Sequence, residues 1–204
     1  MAQPPRPRRH IAIGGPMGSG KTTLAGLFAE HYPALRRISF ATPLKDVVQR
    51  VFAPATKDRD LLIRVGTKLR EIDANVWINC ALRTIAQEGS SDDRWILDDL
   101  RFQNEYDALR RRGDWFIIRL DVAPHVREQR VRETYGSNAN QHLHHAADAS
   151  ETELSRLSAS CFDAVITIDG ETPAAQMAQV RVQMRKILAA LHTTDNNEEE
   201  ERAF

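Results

Sequence analysis

One short stretch of this chain constrains the fold more than any other. Residues 15–22 match the phosphate-binding loop pattern G-x-x-x-x-G-K-[ST] at every required position. The apolar run before them, residues 10–13, predicts a buried strand, and residues 21–31 predict a helix with apolar side chains on one face. Glycines let the loop backbone approach phosphate oxygens closely, and the free N–H groups of the helix start point at them. The stretch therefore predicts a nucleoside triphosphate site.

The side chains of this loop have distinct expected roles. Lys21 is expected to reach the β- and γ-phosphates and to act in catalysis, and the Thr22 hydroxyl is expected to bind Mg²⁺. GTP selectivity needs a base-reading Asn-Lys-x-Asp motif, which the sequence lacks, so the expected cofactors are ATP and Mg²⁺. The residues predicted to bind ATP are Gly15, Met17, Gly18, Ser19, Gly20, Lys21, Thr22 and Thr23.

Strands and helices alternate after the loop. Apolar runs predict strands at residues 36–40, 94–97, 115–120 and 164–168. Periodicity, caps and breaks predict helices at residues 42–52, 58–71, 74–87, 103–112, 124–135 and 173–191, and a polar loop at residues 136–150. This alternation implies a parallel sheet covered by helices on both faces. The predicted fold class is α/β, a three-layer α/β/α domain around a five-stranded parallel sheet.

Composition places two flanking segments outside this domain. The single domain is expected to cover residues 10–192 of the 204. Residues 1–9 form a basic, proline-rich arm and residues 193–204 an acidic tail, and both are expected to be disordered. The 28 basic residues balance the 28 acidic ones, so nothing global requires a polyanionic partner.

The sequence carries no sign of a membrane or an oxidising compartment. No apolar run approaches the about 18 residues needed to span a bilayer. The first nine residues lack the apolar core of a secretion signal. The two cysteines, Cys80 and Cys161, lie far apart without metal-ligand spacing. A cytoplasmic protein with reduced thiols and no membrane partner is expected.

The second half of the site is expected where the strand at residues 94–97 ends. Asp98 and Asp99 follow it, at the carboxyl edge where ligands bind in open α/β sheets. At least one of them is expected to hold Mg²⁺ or to accept a proton, the alternative being an aspartate that only caps the turn. Arg101 follows closely, and its guanidinium group suits phosphate. Which aspartate binds the metal stays open.

Three arginines after the fourth strand predict a lid over about residues 124–148. Arg127, Arg130 and Arg132 lie on the expected helix, and a Gly/Ser/Asn stretch follows at residues 136–140. Arginines that close over a transferring phosphoryl group stabilise its charge and exclude water. A solvated charged face is the alternative. A small domain with such a lid favours a kinase of a small phosphate-bearing acceptor.

Five blocks in order along the chain resemble the deoxynucleoside monophosphate kinases typical of bacteriophages. The first is the loop at residues 15–22. Residues 39–45 resemble the family's F-A-x-P-L-K segment, and residues 65–77 resemble its block of Gly-Thr, Arg and Trp. Residues 98–105 resemble its D-x-R-F-x-N-E block, and residues 149–170 resemble its late segment. On this resemblance the fold is a P-loop kinase fold with a lid.

The resemblance implies transfer of the ATP γ-phosphoryl group to a deoxynucleoside 5′-monophosphate, with Mg²⁺. It assigns to acceptor binding or its scaffold Phe40, Lys45, Arg70, Trp77, Asp98, Arg101, Glu105, Ser150 and Glu151. The expected catalytic residues are Lys21, Asp99, Arg101, Arg127, Arg130 and Arg132, and the expected metal ligands are Thr22, Asp98 and Asp99. Trp77 stays open between base stacking and core packing. Relatives often form homodimers, so a homodimer is a further expectation.

The chain departs from the family's pattern, as in the pair Asp98 and Asp99 and in the arm and tail outside the family core, and two other functions stay open. Asp148 stands where the family usually has a histidine before Ala-Ser-Glu, so a role for that histidine does not carry over. Relatives of the fold also phosphorylate 5-hydroxymethyluracil within phage DNA, although zero net charge argues mildly against a duplex substrate. The alternative from another class is a nucleotide-binding regulatory protein without turnover. The transfer set of Asp98, Asp99 and Arg101 argues against it.

Overall fold

A sheet of five parallel strands organises the computed structural model, which describes residues 10–56, 58–90, 93–144 and 148–202. The strands are β1 (His10–Gly14), β2 (Leu35–Ile38), β3 (Arg94–Leu100), β4 (Trp115–Val122) and β5 (Ala164–Ile168). Their order across the sheet is β2-β3-β1-β4-β5, and all neighbours are parallel. The carboxyl end of β1 therefore lies between those of β3 and β4.

Helices cover both faces of this sheet. In the described part of the chain they are α1 (Lys21–His31), α2 (Ala41–Phe52), α3 (Arg59–Ile72), α4 (Val76–Glu88), α5 (Gln103–Arg112), α6 (Pro124–Tyr135), α7 (Ala139–His144), α8 (Ala149–Thr152) and α9 (Pro173–Arg202). Short 3₁₀ turns follow α6 and α8, at Gly136–Asn138, Leu154–Arg156 and Ala159–Cys161. Helices α1, α5 and α6 have the bounds expected from the sequence.

Alternating strand residues send apolar side chains into two layers of the core. On one face, Ile13 of β1 belongs to a cluster with Phe28 of α1 and Met184 of α9. On the other face, Leu97 of β3 belongs to a cluster with Leu109 of α5. The predicted three-layer α/β/α fold with a five-stranded parallel sheet is confirmed.

Strand β3 is longer than the sequence indicates. It continues to Leu100 and so contains Asp98 and Asp99, which were expected to end it. The reason is backbone pairing, because β1 and β3 remain paired as far as Gly14 and Leu100. Both aspartates therefore lie in the last residues of β3, at the carboxyl edge of the sheet, and not in the loop that follows.

The stretch at residues 136–150 is not the loop that its polar composition predicts. Its described parts are a 3₁₀ turn, α7 and the first residues of α8. Ala139 is 2% exposed, which shows that this segment packs onto the domain. Helices in proteins depend mostly on such tertiary packing, which a polar sequence pattern does not reveal.

The acidic tail also differs from expectation, because α9 does not end near Leu191 but continues to Arg202. Glutamates are good helix formers, and extending an existing helix is easier than nucleating a new one. Residues 193–202, which were expected to be disordered, lie within α9 in the structure, while residues 203–204 and the arm at residues 1–9 lie outside the described residues. Within the described chain, neither α9 nor any other helix is both long and apolar enough to cross a membrane.

Helix α6 packs directly on the loop between β1 and α1. Gly18 in this loop has a φ of +76°, a conformation that glycine adopts without strain. A Cβ built on Gly18 would lie 2.9 Å from the Arg127 carbonyl oxygen and 3.2 Å from Val131 Cγ2. The helix predicted to form the lid therefore touches the loop, and the contact needs a residue without a side chain.

Replacing Gly18 by alanine is expected to lower the melting temperature. The new Cβ would push α6 off the loop, and the left-handed conformation costs about 1–2 kcal/mol for a residue with a Cβ. The matched control is Gly26→Ala in α1, where an added Cβ meets nothing within 4 Å and alanine is the better helix former by about 1 kcal/mol. Thermal denaturation followed by circular dichroism measures both. A Gly18→Ala protein as stable as the control would contradict the contact.

Candidate functional site

The phosphate loop, residues 15–22, is shaped by its glycines. Gly15, Gly18 and Gly20 have φ values of +147°, +76° and +92°. A Cβ on Gly15 would lie 3.1 Å from the carbonyl oxygen of Leu120 in β4. The loop backbone is therefore packed against the end of β4, at the centre of the sheet edge.

The Lys21 ammonium group lies inside this loop. Its Nζ donates to the carbonyl oxygens of Gly15 at 2.6 Å and Pro16 at 2.7 Å, and the residue is 8% exposed. Burial, followed by the positive charge of Arg101, lowers the pKa of Lys21 from 10.5 to about 7. Negative charge placed beside the ammonium group would offset this cost. The loop is therefore suited to receive an anion next to Lys21.

Thr22 and Asp98 form the part of the site that fits a magnesium ion. Thr22 Oγ1 donates to Asp98 Oδ2 at 2.9 Å, and Arg37 Nη2 donates to the same oxygen at 2.5 Å. Hydroxyl and carboxylate oxygens suit Mg²⁺ when substrate phosphates complete its shell. Among the described residues, no group of three or more His, Cys, Asp or Glu side chains could hold a metal ion. A metal at Thr22 and Asp98 would thus depend on oxygens brought by a ligand.

Asp99 faces a different partner. Its Oδ2 accepts hydrogen bonds from Ser39 Oγ at 2.6 Å and Ala41 N at 2.8 Å, and its Oδ1 accepts one from Phe40 N at 3.1 Å. These donors form the start of α2, where the first N–H groups of a helix lack internal partners. Asp99 therefore anchors α2, and its expected metal role has no support from this geometry because both carboxylate oxygens are occupied.

Glu105, which is buried, and Arg70, which is half-buried, lie close together in the lining of the site. Glu105 Oε2 accepts from Arg101 N at 2.9 Å and Phe102 N at 3.0 Å, and Arg70 Nη2 lies 3.8 Å from Glu105 Oε1. Burial raises the pKa of Glu105 to about 7 and lowers the pKa of Arg70. The Arg70 guanidinium group also stacks 4.3 Å from the centre of the Phe102 ring. Glu105 thus supports the start of α5 and fixes Arg70.

Arg101 extends from the end of β3 toward α8. Its Nη1 donates to Glu151 Oε1 and to the Ser150 carbonyl oxygen at 3.3 Å. Glu151 in turn accepts a hydrogen bond from Met17 N of the phosphate loop at 2.5 Å. The late block of the sequence is therefore brought against the first block.

Of the three predicted lid arginines, Arg130 donates side-chain hydrogen bonds to the phosphate loop. Arg130 Nη1 donates to the carbonyl oxygens of Gly18 at 3.1 Å and Ser19 at 3.2 Å, and its Nη2 donates to Gln176 at 2.8 Å. Arg127 contacts the loop through its backbone, and Arg132 is exposed on the outer side of α6. The phase of the helix decides this difference.

These groups surround one cleft of about 1160 Å³. The predicted site residues that line it are Met17, Gly18, Gly20, Lys21, Thr22, Thr23, Phe40, Lys45, Arg70, Asp98, Asp99, Arg101, Glu105, Arg130 and Ser150. The predicted residues outside its lining are Gly15, Ser19, Trp77, Arg127, Arg132 and Glu151. Trp77 is 3% exposed within the core cluster that contains Leu97, so the structure supports core packing and not base stacking for it.

The lining residues that the sequence did not assign to the site include three polar ones near the phosphate loop and β2: Arg37, Ser39 and Arg59. Arg37 and Ser39 stand at the carboxyl end of β2, and the rule that ligands bind at this edge could have identified them. Arg59 begins α3, and its Nη1 lies 3.4 Å from Met17 Sδ. No spacing in the sequence indicates that contact.

A second cavity of about 250 Å³ lies on the other side of the loop. Thr23 and Leu24 of α1, Val126 of α6, and Pro173 and Met177 of α9 contribute to its wall. Its lining is mainly apolar, and it begins directly beside the start of α1. The size and the apolar lining of this cavity suit a flat, apolar group that belongs to a ligand bound in the phosphate loop.

Comparison with known proteins identifies the family. The model of a family described as "AAA domain" matches residues 11–153 of the chain. No protein of curated function matches the sequence.

Solved structures share the fold at low sequence identity. A candidate kinase from Chloroflexus aurantiacus is 19% identical, with a TM-score of 0.53 over 89% of this chain and 96% of its own. A shikimate kinase from Bacteroides thetaiotaomicron is 17% identical, with a TM-score of 0.50 over 88% of this chain and 98% of its own. An uncharacterised protein from Eubacterium ventriosum is 19% identical, with a TM-score of 0.51 over 91% and 99%. The chain therefore has the fold of these kinases.

Binding of a nucleoside triphosphate at pH 8 is expected to take up protons. The pKa of Lys21 is about 7, so most of the amine is neutral at pH 8, and an adjacent phosphate raises the pKa again. At pH 6 the amine is already protonated and uptake is expected to approach zero. Calorimetry in two buffers of different ionisation enthalpy measures the proton count. The same uptake in Lys21→Met would assign the proton to another group.

Substitution of the two neighbouring aspartates, Asp98 and Asp99, is expected to affect different properties of the protein. Asp99→Asn removes the anchor of α2 and should lower stability by about 1–3 kcal/mol. Asp98→Asn should change stability little, because its ion-pair partner Arg37 is about half exposed to solvent, but should remove the effect of Mg²⁺ on nucleotide affinity. Thermal denaturation and nucleotide titration with and without Mg²⁺ separate the two. If Asp98→Asn lowered the stability and Asp99→Asn removed the Mg²⁺ effect, the metal-binding and structural roles of the two aspartates would be reversed.

Proposed function

The chain belongs to the AAA-domain family, and on that premise we propose that it is a kinase that transfers the γ-phosphoryl group of ATP to a deoxynucleoside 5′-monophosphate. The observation that carries the proposal is the charge of one continuous cleft. Among the described residues, seven basic side chains line it against four acidic ones: Lys21, Arg37, Lys45, Arg59, Arg70, Arg101 and Arg130 against Asp98, Asp99, Glu105 and Asp148. Such a surplus suits two anionic ligands that meet end to end.

The donor half is the phosphate loop with its neighbours. Lys21 and the start of α1 would hold the β- and γ-phosphates of ATP, as in other phosphate loops. Thr22 and Asp98 would hold Mg²⁺, which when bound would neutralise part of the phosphate charge. The apolar cavity of about 250 Å³ beside α1 would receive the adenine base. Arg130 spans both regions because it lines the cleft and this cavity.

The acceptor half is formed by the segment between β2 and β3. Helices α2 and α3 bring Lys45 and Arg70 to the cleft, which Arg101 also lines. These cations suit the acceptor phosphate. Phe40 and Leu62 supply apolar wall for a sugar and base. The deoxynucleoside part of the proposal is supported by the five sequence blocks.

The transfer itself needs positioning and charge stabilisation more than acid–base chemistry. A phosphate oxygen of the acceptor is anionic near neutral pH, so it attacks the γ-phosphorus without losing a proton. The bond from the γ-phosphorus to the bridging oxygen breaks as the new bond forms, and ADP and a nucleoside diphosphate result. Lys21, Arg101 and Arg130 would stabilise the negative charge spread over the group in transfer.

ATP consumption with Mg²⁺ tests the proposal directly. The acceptors are the four standard deoxynucleoside monophosphates, hydroxymethylated dUMP, and DNA that contains 5-hydroxymethyluracil. Turnover with a free monophosphate supports the proposal and identifies the base. Turnover only with the modified DNA would move the function to base modification, and ATP binding without turnover on any acceptor would favour a regulatory protein. Lys21→Ala should retain the fold and lose activity by orders of magnitude.

Arg70→Gln is expected to raise the acceptor KM at least 10-fold while changing the ATP KM less than about 2-fold, because Arg70 lies at the acceptor end of α3. The matched control is Arg64→Gln, an exposed arginine on the same helix that does not line the cleft. Steady-state kinetics with each substrate varied in turn measures both constants. An equal rise in both constants would remove Arg70 from the acceptor site.

A further inference from the structure

Glu151 is a buried carboxylate directly behind the phosphate loop. Its side chain is 3% exposed, and its Oε2 accepts a hydrogen bond from Met17 N at 2.5 Å. It does not line the large cleft. A buried carboxylate is costly unless it is paired, so its partners explain why it is there.

Two arginines from distant segments converge on one oxygen of this carboxylate. Arg101, at the end of β3, donates from Nη1 to Glu151 Oε1. Arg59, at the start of α3, places Nη2 3.7 Å from the same oxygen. The two guanidinium groups and the carboxylate together leave one surplus positive charge. Two cations brought this close favour an additional anion beside them.

Both arginines keep hydrogen-bonding capacity toward the cleft. They line it, whereas the carboxylate that holds them does not. Arg59 Nη1 contacts only the weak acceptor Met17 Sδ at 3.4 Å, and Arg59 Nε is buried without a hydrogen-bond partner among the described residues. A buried donor without a partner is unusual in a native structure and indicates that something else satisfies it. Arg59 Nη1, whose hydrogen-bond acceptor is only the Met17 sulfur, is the donor that an anionic oxygen in the cleft would engage.

Arg59 and Arg101 lie where the transferred phosphoryl group would be, close to Lys21 and the phosphate loop. Arg101 lines the same cleft as Lys21, and its positive charge adds to the effect of burial in lowering the pKa of Lys21. Arg59 and Arg70 lie at opposite ends of the face that α3 presents to the cleft, about 16 Å apart along the helix. Arg59 is therefore at the phosphate-loop end, and Arg70 is at the acceptor end.

We propose that Arg59 and Arg101 form a two-arginine anion site for the phosphoryl group in transfer, and that Glu151 is the positioning residue that holds both guanidinium groups at the phosphate loop. The assignment of the anion to a group in transfer rests on the proposed function. Arg59 thereby takes the part that the sequence pattern gives to the lid arginines Arg127 and Arg132. The acceptor role that sequence resemblance implies for Glu151 is replaced by a role behind the two arginines.

The test compares a diphosphate with a triphosphate ligand. Calorimetry with Mg²⁺ measures the affinities for ADP and for a non-hydrolysable ATP analogue in Arg59→Gln, Arg101→Gln and Glu151→Gln. Arg64→Gln on α3 and Glu30→Gln on α1 are the matched controls, since both side chains are exposed and away from the cleft. Melting temperatures and kcat are measured for every protein.

In Arg59→Gln we expect ADP affinity within about 2-fold of the parent, at least 10-fold weaker binding of the triphosphate analogue, and a kcat about 100-fold lower. Arg101→Gln should act in the same direction. Glu151→Gln keeps an acceptor for Met17 N but loses its charge, so we expect about 10-fold smaller kcat with little change in ADP affinity. The double variant Arg59→Gln/Glu151→Gln should lose less than the product of the single effects, because Glu151 acts through the arginine.

Two results would overturn the proposal. If Arg59→Gln leaves the affinities for both ligands at the parent's values, Arg59 does not contact the transferred group. If ADP and the triphosphate analogue weaken by the same factor, the arginines only support the loop. Should Glu151→Gln not fold, Glu151→Asp tests the positioning, since a shorter carboxylate keeps the charge but should lower kcat. A parent protein without turnover on any acceptor would contradict the proposed function, while the affinity ratio would still decide the anion site.

Discussion

The site depends on one interaction, the burial of the Lys21 ammonium group against the carbonyl oxygens of Gly15 and Pro16. A cation taken out of water must be compensated, and here two loop carbonyls do so only in part, because the pKa falls to about 7. The loop can close this tightly only because Gly15, Gly18 and Gly20 adopt conformations that other residues avoid. The glycines thus allow a loop in which the Lys21 ammonium group is buried with too little negative charge around it, and a phosphate ligand would supply that charge.

The arginines that line the surrounding cleft share one feature, which is that several of them form ion pairs with carboxylates. Asp98 binds Arg37, Glu105 lies beside Arg70, and Glu151 binds Arg101 and Arg59. Each carboxylate also accepts a hydrogen bond from another part of the site, such as the Thr22 hydroxyl or the Met17 N–H. Positive side chains are thereby fixed before a ligand arrives, which is the condition for electrostatic stabilisation without reorganisation.

Sequence patterns reach their limit where neighbouring residues are of the same type. Asp98 and Asp99 are adjacent and chemically identical, so the sequence could not separate them. Their alternation along β3 turns one toward Thr22 and the other toward the start of α2. Trp77 was equally ambiguous, because an apolar stripe is the same for a side chain that packs in the core and one that lines a pocket. Burial against Leu97 resolves it in favour of the core.

The sequence by itself determined the phosphate loop, the alternation of strands and helices, and hence the three-layer sheet, because these follow from local backbone preferences and the period of apolar residues. Only the tertiary structure decided which arginines meet the cleft. Arg130 faces the loop and Arg132 faces solvent on the same helix, and Arg59 reaches Glu151 from a distant segment. The physical reason is that such contacts depend on helix phase and on the packing of one element against another, which no local spacing encodes.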